Sequence, residues 1–467
     1  SRRIKIQYRE HVAKMLSLLG DSPEAAAAGA DAVLSIETRL AEASRTPVQL
    51  RDREAQYNKK SRIELAELTP NLDWEIYLKA IDVQGVSDVI VGQPEFFQRV
   101  NEMLASVPAG DWRAYLRWHL IHATAYSLSD AFVREDFRFY SEVLRGVKQM
   151  QPRWKRVIGM LDRQMGEALG RLYVERHFTP AAKQRMDELV KNIMAAYRER
   201  IETRDWMGPE TKKQALVKLA TVMPKIGYPD KWRDYAALEV RDDSCVQNLL
   251  RAEAFESRYR LSKFGKPVDR SEWHMTPPTV NAYYNSTLNE IVFPAGILQP
   301  PFFNAAADDA VNYGGIGAVI GHEITHGFDD QGSRSDAEGN LKNWWTADDR
   351  ARFTAKTDKL VKQYDACVLV DDLHVNGRLT LGENLADLGG VAIAYAAYQK
   401  SLNGRPAPLI DGLTGPQRFF LGYAQVCSPV RFRTLVPLSN IQEFYDAFGV
   451  KPGDAMYRPP EDRVEVW

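Results

Sequence analysis

The chain has 467 residues, 45% of them hydrophobic and 26% charged, which is ordinary for a globular protein and long enough for two or three domains. Its 61 basic and 62 acidic residues cancel, which excludes a global field that would draw in nucleic acid or an anionic membrane. The only basic start, Arg2-Arg3-Ile4-Lys5, reads as a solvated helix face. No apolar run approaches the ~18 residues of a membrane span, and the first residues lack the charged-then-apolar pattern of a signal peptide. The three cysteines, Cys245, Cys367 and Cys427, are too few and too far apart for a disulfide framework or a thiolate zinc site. Any metal must therefore be held by nitrogen and oxygen.

The first two-thirds of the chain reads as mostly helical. Met186, Leu189, Val190, Ile193, Met194, Tyr197 and Ile201 recur at spacings of three and four, the mark of one buried helix stripe. Pro209 suits the first turn of a further helix that runs toward Val222 and is stopped by Met223-Pro224. Residues 279–284 and 289–293, rich in β-formers around a polar turn, predict a hairpin that ends at Pro294. A helix over residues 309–326 follows. Gly314, Gly315, Gly317 and Gly321 would each cost it about 1 kcal/mol relative to alanine, so it needs close neighbours to persist.

That helix carries His322-Glu323-Ile324-Thr325-His326. Residues four apart share a helix face, so both imidazoles can reach one metal ion, and Glu323 beside that face can serve as general base toward a zinc-activated water. Two core histidines on a helix would show the same spacing. A second motif, Leu381-Gly382-Glu383-Asn384-Leu385-Ala386-Asp387, favours the metal reading. A catalytic zinc wants three protein ligands and an open position, and Glu383 can be the third. Asp387, four residues on, can accept the other ring N–H of a ligand histidine. Taken alone, the pair would be a solvated acidic face. His374, in a turn before this helix, is the nearest rival ligand; His11, His119, His122, His177 and His274 have no partner at metal spacing and read as structural. A purely structural zinc is disfavoured because such sites close with four ligands.

At this point the blocks become recognisable. Asn281-Ala282-Tyr283-Tyr284, the run from Ile291 to Phe303, Asn312-Tyr313-Gly314-Gly315-Ile316-Gly317, the zinc helix through Asp330, Gly382 to Asp387, and the closing Arg463-Val464-Glu465-Val466-Trp467 resemble the neprilysin family of zinc metallopeptidases. The resemblance implies a mainly α fold with a small β-region (α+β): a thermolysin-like catalytic domain and a helical capping domain enclosing a cavity that admits peptides. It assigns one Zn2+ per chain to His322, His326 and Glu383, with Glu323 as base and Asp387 behind a ligand histidine. It adds Asn281 and Ala282 as groups that hydrogen-bond an extended substrate, Ile297, Phe302, Ala318 and Val319 as an apolar pocket, and Arg433 on the substrate carbonyl. From the family's layout and a weak turn at Gly92-Gln93-Pro94, residues 1–92 are expected in the capping domain and 93–467 in the catalytic one, with a possible capping insertion near 205–235.

The match breaks at one place. Family members carry a histidine, a donor to the oxyanion, immediately before a run that fits Ser428-Pro429-Val430-Arg431-Phe432-Arg433, yet Cys427 stands there. By the resemblance, a stretch of more than a dozen residues is expected between Cys427 and Ser428, either deleted from the protein or left out of this sequence, and the family's N-terminal portion is likewise expected beyond these residues. The leading expectation is a zinc endopeptidase that hydrolyses oligopeptides on the N-terminal side of hydrophobic residues; the rival is a zinc-containing peptide-binding protein with weak or no catalysis. Peptides are the expected partners, with no nucleic acid, and the family's habit places the chain outside the cytoplasm, in a periplasm or secreted.

Overall fold

The structure, a computed structural model, describes residues 2–427 and 431–467. The chain divides into two compact units, Ser1–Met165 with Asp234–Val268, and Gly166–Arg233 with Asp269–Trp467. The turn at Gly92 falls inside the first unit; of the expected insertion near 205–235, residues up to Arg233 fall in the second unit and the chain returns to the first at Asp234. The first crossing between the units falls within the helix Arg153–His177, where Met165 leaves helical geometry (φ −148°, ψ 44°), and the others follow at Arg233/Asp234 and Val268/Asp269.

In the first unit, α1 (Arg2–Leu18), α2 (Pro23–Ala43) and α3 (Ala109–Thr124) bury Val12, Met15, Ala30, Val33, Trp118 and Ile121 in one core. Ser22 caps α2 by accepting from the Ala25 N–H at 3.2 Å, with Pro23 in the first turn. A short antiparallel ribbon, β1 (Lys59–Ser61) with β2 (Asp88–Ile90), completes it before α4 (Arg153–His177) leads onward.

The second unit opens on α5 (Pro180–Thr203), where Met186, Leu189, Val190, Ile193, Tyr197 and Ile201 are all buried and Met194 partly so, as their spacing predicts. Helix α6 (Pro209–Ala220) ends two residues earlier than expected. Met223-Pro224 does not merely stop it but starts β3 (Met223–Gly227), a strand the sequence does not announce. Pro224 is tolerated because β3 lies at the edge of a three-stranded sheet, where a missing N–H need not break a ladder. β3 runs parallel to β5 (Glu290–Pro294), which pairs antiparallel with β4 (Tyr283–Asn285) through Tyr283↔Val292 and Asn285↔Glu290. The predicted hairpin is therefore present, but its first strand is shorter than expected: a turn closed by the Thr279 N–H on the Thr276 carbonyl delays it, so Asn281 and Ala282 precede β4.

The expected helix over 309–326 is a composite. Asp309–Asn312 is α-helical, Tyr313–Gly317 widens to a π-turn, and α7 (Ala318–His326) resumes. The widening has a local cause: the Ile316 N–H donates at 2.8 Å to the Phe302 carbonyl outside the helix. Beyond α7 come α8 (Ala347–Asp365), the ribbon β6 (Val368–Val370) with β7 (Leu373–His374), α9 (Leu381–Ser401), α10 (Gly415–Cys427) and α11 (Arg431–Leu438).

Gly314, Gly315 and Gly321 mark where backbones touch. A Cβ on Gly314 would lie 2.0 Å from the Phe419 carbonyl oxygen, and one on Gly321 would lie 2.8 Å from that of Gly390. On the facing helix, a Cβ on Gly390 would meet the Ala318 oxygen at 2.6 Å and the His322 nitrogen at 2.8 Å. Helices α7 and α9 thus cross in direct backbone contact, which brings the two sequence motifs together. Gly390→Ala is expected to force them apart and to lower stability by about 1–3 kcal/mol, read as an earlier thermal transition. An unchanged transition would show that the crossing yields freely.

Candidate metal centre

Helix α7 presents His322 and His326, and the first two turns of α9 present Glu383 and Asp387. The His322 Nδ1 lies 2.8 Å from an Asp387 carboxylate oxygen, and the His326 Nδ1 lies 2.8 Å from one of Asp329. A carboxylate only accepts, so each Nδ1 carries the proton and donates, which leaves both Nε2 atoms to face inward. They stand 3.0 Å apart, and the Glu383 carboxylate reaches to 3.5 Å from the His322 Nε2 and 3.7 Å from that of His326.

These separations test the site for zinc. Ligands bound tetrahedrally at 2.0–2.1 Å stand roughly 3.3–3.4 Å apart, and the three observed distances straddle that value. Two inward nitrogens at 3.0 Å also cannot both present lone pairs, or both present protons, without a cation or a shared proton between them. Among the described residues these three form a group that could hold a metal ion, and their donor set, two imidazoles and one carboxylate, is that of catalytic zinc.

The electrostatics follow from burial and pairing. Burial alone would lower the His322 pKa, but its hydrogen bonds to the Asp387 and Glu383 carboxylates raise it to about 10. The hydrogen bond to His322 brings Glu383 down to about 2. Glu323, 6% exposed, has its carboxyl raised by burial against the pull of His322 and His326. Arg433 makes a fork with Asp387, Nε to Oδ2 at 2.8 Å and Nη2 to Oδ1 at 2.7 Å, with Nη2 also 3.6 Å from Glu383. Asp387 therefore joins His322 to Arg433.

The metal-free site holds a proton that zinc must displace. Since the surrounding carboxylates raise both His322, to about 10, and His326 above the ordinary imidazole value, zinc uptake at pH 6 is expected to release protons. Affinity should accordingly climb with pH. Calorimetry in two buffers of different ionisation enthalpy measures the release; no proton released would contradict the arrangement.

The remaining expected residues are placed less tightly. Ile297, Ala282 and Ala318 are buried, Phe302 and Val319 are partly buried, and Asn281 is exposed just ahead of β4. The Phe302 carbonyl is occupied by the Ile316 N–H, which fixes that loop against the start of the zinc helix. His374 is exposed on β7 and bonds the Asp365 carbonyl at 2.7 Å, away from the cluster. His11 is fully buried in the first unit with its Nδ1 2.8 Å from Glu135. Ser428 and Pro429, where the expected break falls, lie outside the described residues. Cys427, at the end of α10, has its thiol raised to about 12, chiefly by burial and then by the charge of Asp387.

Asp329 was not singled out from the sequence. It lies in the turn just past the zinc helix, three residues after His326, and its Oδ1 accepts from the Gln331 and Gly332 N–H groups at 2.7 and 2.6 Å.

A mostly helical chain that converges two imidazoles of a His-Glu-x-x-His turn and a glutamate from a second helix on one point has the architecture of a catalytic-type zinc centre. The comparisons agree: residues 1–229 and 281–464 match two models described as Peptidase family M13. The chain belongs to peptidase family M13. It is 36% identical over 497 positions to mouse endothelin-converting enzyme 1, covering 98% of this chain and 64% of that protein, so it spans somewhat less than two thirds of that relative's length. It resembles the Mycobacterium tuberculosis zinc metalloprotease Zmp1 in complex with inhibitor (TM-score 0.94, 44% identity, all of this chain and 75% of that one). It also resembles PepO from Lactobacillus rhamnosis (TM-score 0.91, 30% identity, all of this chain and 75% of that one).

Proposed function

We propose that the chain is a zinc-dependent endopeptidase acting on oligopeptides, cleaving on the N-terminal side of hydrophobic residues. The observation that carries this reading is the convergence of His322, His326 and Glu383 beside a buried Glu323. When bound, zinc supplies a Lewis acid that polarises a carbonyl oxygen and brings the pKa of a water toward about 7. Asp387 and Asp329 hold the two rings in one tautomer and orientation. Glu323, its affinity for a proton raised by burial, takes the proton of the attacking water and returns it to the leaving amine. Arg433, fixed by Asp387, faces the substrate carbonyl. Asn281 and Ala282 bond an extended peptide backbone, and Ile297, Phe302, Ala318 and Val319 receive the side chain after the cleaved bond. Extracytoplasmic placement follows from the family resemblance; no helix among the described residues is long and apolar enough to cross a membrane.

One observation favours the rival, a zinc-containing peptide-binding protein. The alignment to the mouse relative runs over 497 positions, 30 more than this chain's 467 residues, so that relative carries internal residues without a counterpart here. If they include the oxyanion-donating histidine, losing it costs about 2.7–4 kcal/mol of barrier and lowers turnover by about 10²–10³. A fluorogenic-peptide assay with and without chelator separates the readings: chelator-sensitive cleavage, however slow, supports the peptidase, and peptide binding without any cleavage supports its rival.

A further inference from the structure

We infer that Lys218 is a positioning residue for the metal site, acting through Gly332 and Asp329 on His326. Lys218 lies on α6, far in sequence from both metal motifs, and is 1% exposed. Its ammonium donates at 2.6 Å to the Gly332 carbonyl and at 2.7 Å to the Ser335 carbonyl. The rings of Tyr284, Phe328 and Trp344 surround it with centroids 5.9, 5.8 and 5.9 Å away. An ammonium in such a place is costly to desolvate, and an apolar side chain of its length would fill the space more cheaply. What the charge does is hold one turn of backbone.

That turn is the one leaving the zinc helix. Gly332 is held on its other side by Asp329, whose Oδ1 accepts the Gly332 N–H at 2.6 Å while its Oδ2 takes the His326 Nδ1 at 2.8 Å. Gly332 also presses on the ligand residue itself, since a Cβ there would lie 1.7 Å from the His326 carbonyl oxygen. The path from ammonium to metal ligand is thus Lys218, Gly332, Asp329, His326, each link a contact in the structure. The Trp344 indole N–H shares the Ser335 carbonyl at 2.9 Å and closes the far end of the turn. With Lys218 present, Asp329 is fixed from behind and the His326 ring has one orientation.

This inference rests on reading His322, His326 and Glu383 as a zinc site. The test is zinc affinity, measured by competition with a chromophoric chelator, in the parent, Lys218→Met, Asp329→Asn and the double variant. Lys218→Met is expected to weaken zinc about tenfold. Because it acts through Asp329, it should change affinity less than twofold once Asp329→Asn is present. The visible absorption of the cobalt(II)-loaded chain should shift in Lys218→Met, reporting a changed ligand field. Equal losses in both backgrounds, or a folded Lys218→Met with parental affinity and spectrum, would overturn the inference. If Lys218→Met does not fold, Lys218→Gln replaces it; failure of both to fold makes Lys218 a core residue and likewise overturns it. A parent chain that takes up no zinc contradicts the metal-site reading instead, and does so before any substitution is made.

Discussion

Glu323→Gln is expected to leave zinc uptake intact and to lower kcat by about 10²–10⁴, the ordinary contribution of a positioned general base. The carboxylate and the amide have nearly the same shape, and Glu323 is not among the three groups that converge on the metal point. What the substitution removes is a group able to take and return a proton. Burial already raises the Glu323 carboxyl, which moves its proton affinity toward working pH and makes it a better base than an exposed glutamate. Steady-state kinetics with metal content measured on the same samples decide the matter. Full activity in a zinc-loaded Glu323→Gln chain would show the base to be elsewhere.

The second large effect is expected at Asp387. It is 4% exposed and bonds His322 on one side and both Nε and Nη2 of Arg433 on the other. Asp387→Ala leaves buried hydrogen-bonding groups without their acceptor, and removing one member of a buried charged network costs about 3–5 kcal/mol. Arg433 keeps a route to water, its side chain being 40% exposed, which puts the expected loss near the lower end, about 3 kcal/mol. Zinc affinity should fall by about 10–100-fold as His322 loses its orienting partner. The pH dependence has a definite sign. Burial pushes the Asp387 carboxyl up, but the hydrogen bonds of Arg433 and His322 overcome it and hold the pKa below the usual range. Its contribution is complete above the unfolded value, about pH 4, and is lost as pH falls through the lower folded value. His322, raised to about 10 in the metal-free chain, contributes fully below about pH 6.5 and loses that contribution as pH rises through 10. Denaturant unfolding of metal-free parent and Asp387→Ala should therefore differ most at pH 5–6 and converge in strong acid. A constant difference across that range would contradict the assigned network.

Much of the metal site was legible because its elements are helical and the chemistry uses helical spacing. His322 and His326 are one turn apart, as are Glu383 and Asp387, so each pair could be placed on a face without knowing the fold. What spacing could not say was which histidine Asp387 would hold. That depends on the Gly321–Gly390 crossing, and glycines advertise only their cost to a helix, not the backbone they admit. Asp329 went unnoticed for a related reason: it lies beyond the last helical residue, in a turn whose shape is set by the Gly332 contact with His326. β3 was hidden because Pro224 argues against a strand unless its edge position is known, and edge position is a property of the sheet. The division of the chain was the least legible feature. The first unit takes up a later segment, Asp234–Val268, and no local composition change announces such a return.

The central claim is that His322, His326 and Glu383 together bind one zinc. The most direct measurement is an anomalous-scattering map at the zinc edge from crystals of the zinc-loaded chain. One strong peak is expected, with two imidazole nitrogens at about 2.0–2.1 Å and a Glu383 oxygen at about 2.0–2.2 Å. A peak elsewhere, or a Glu383 carboxylate turned away from the two imidazoles, would contradict the account.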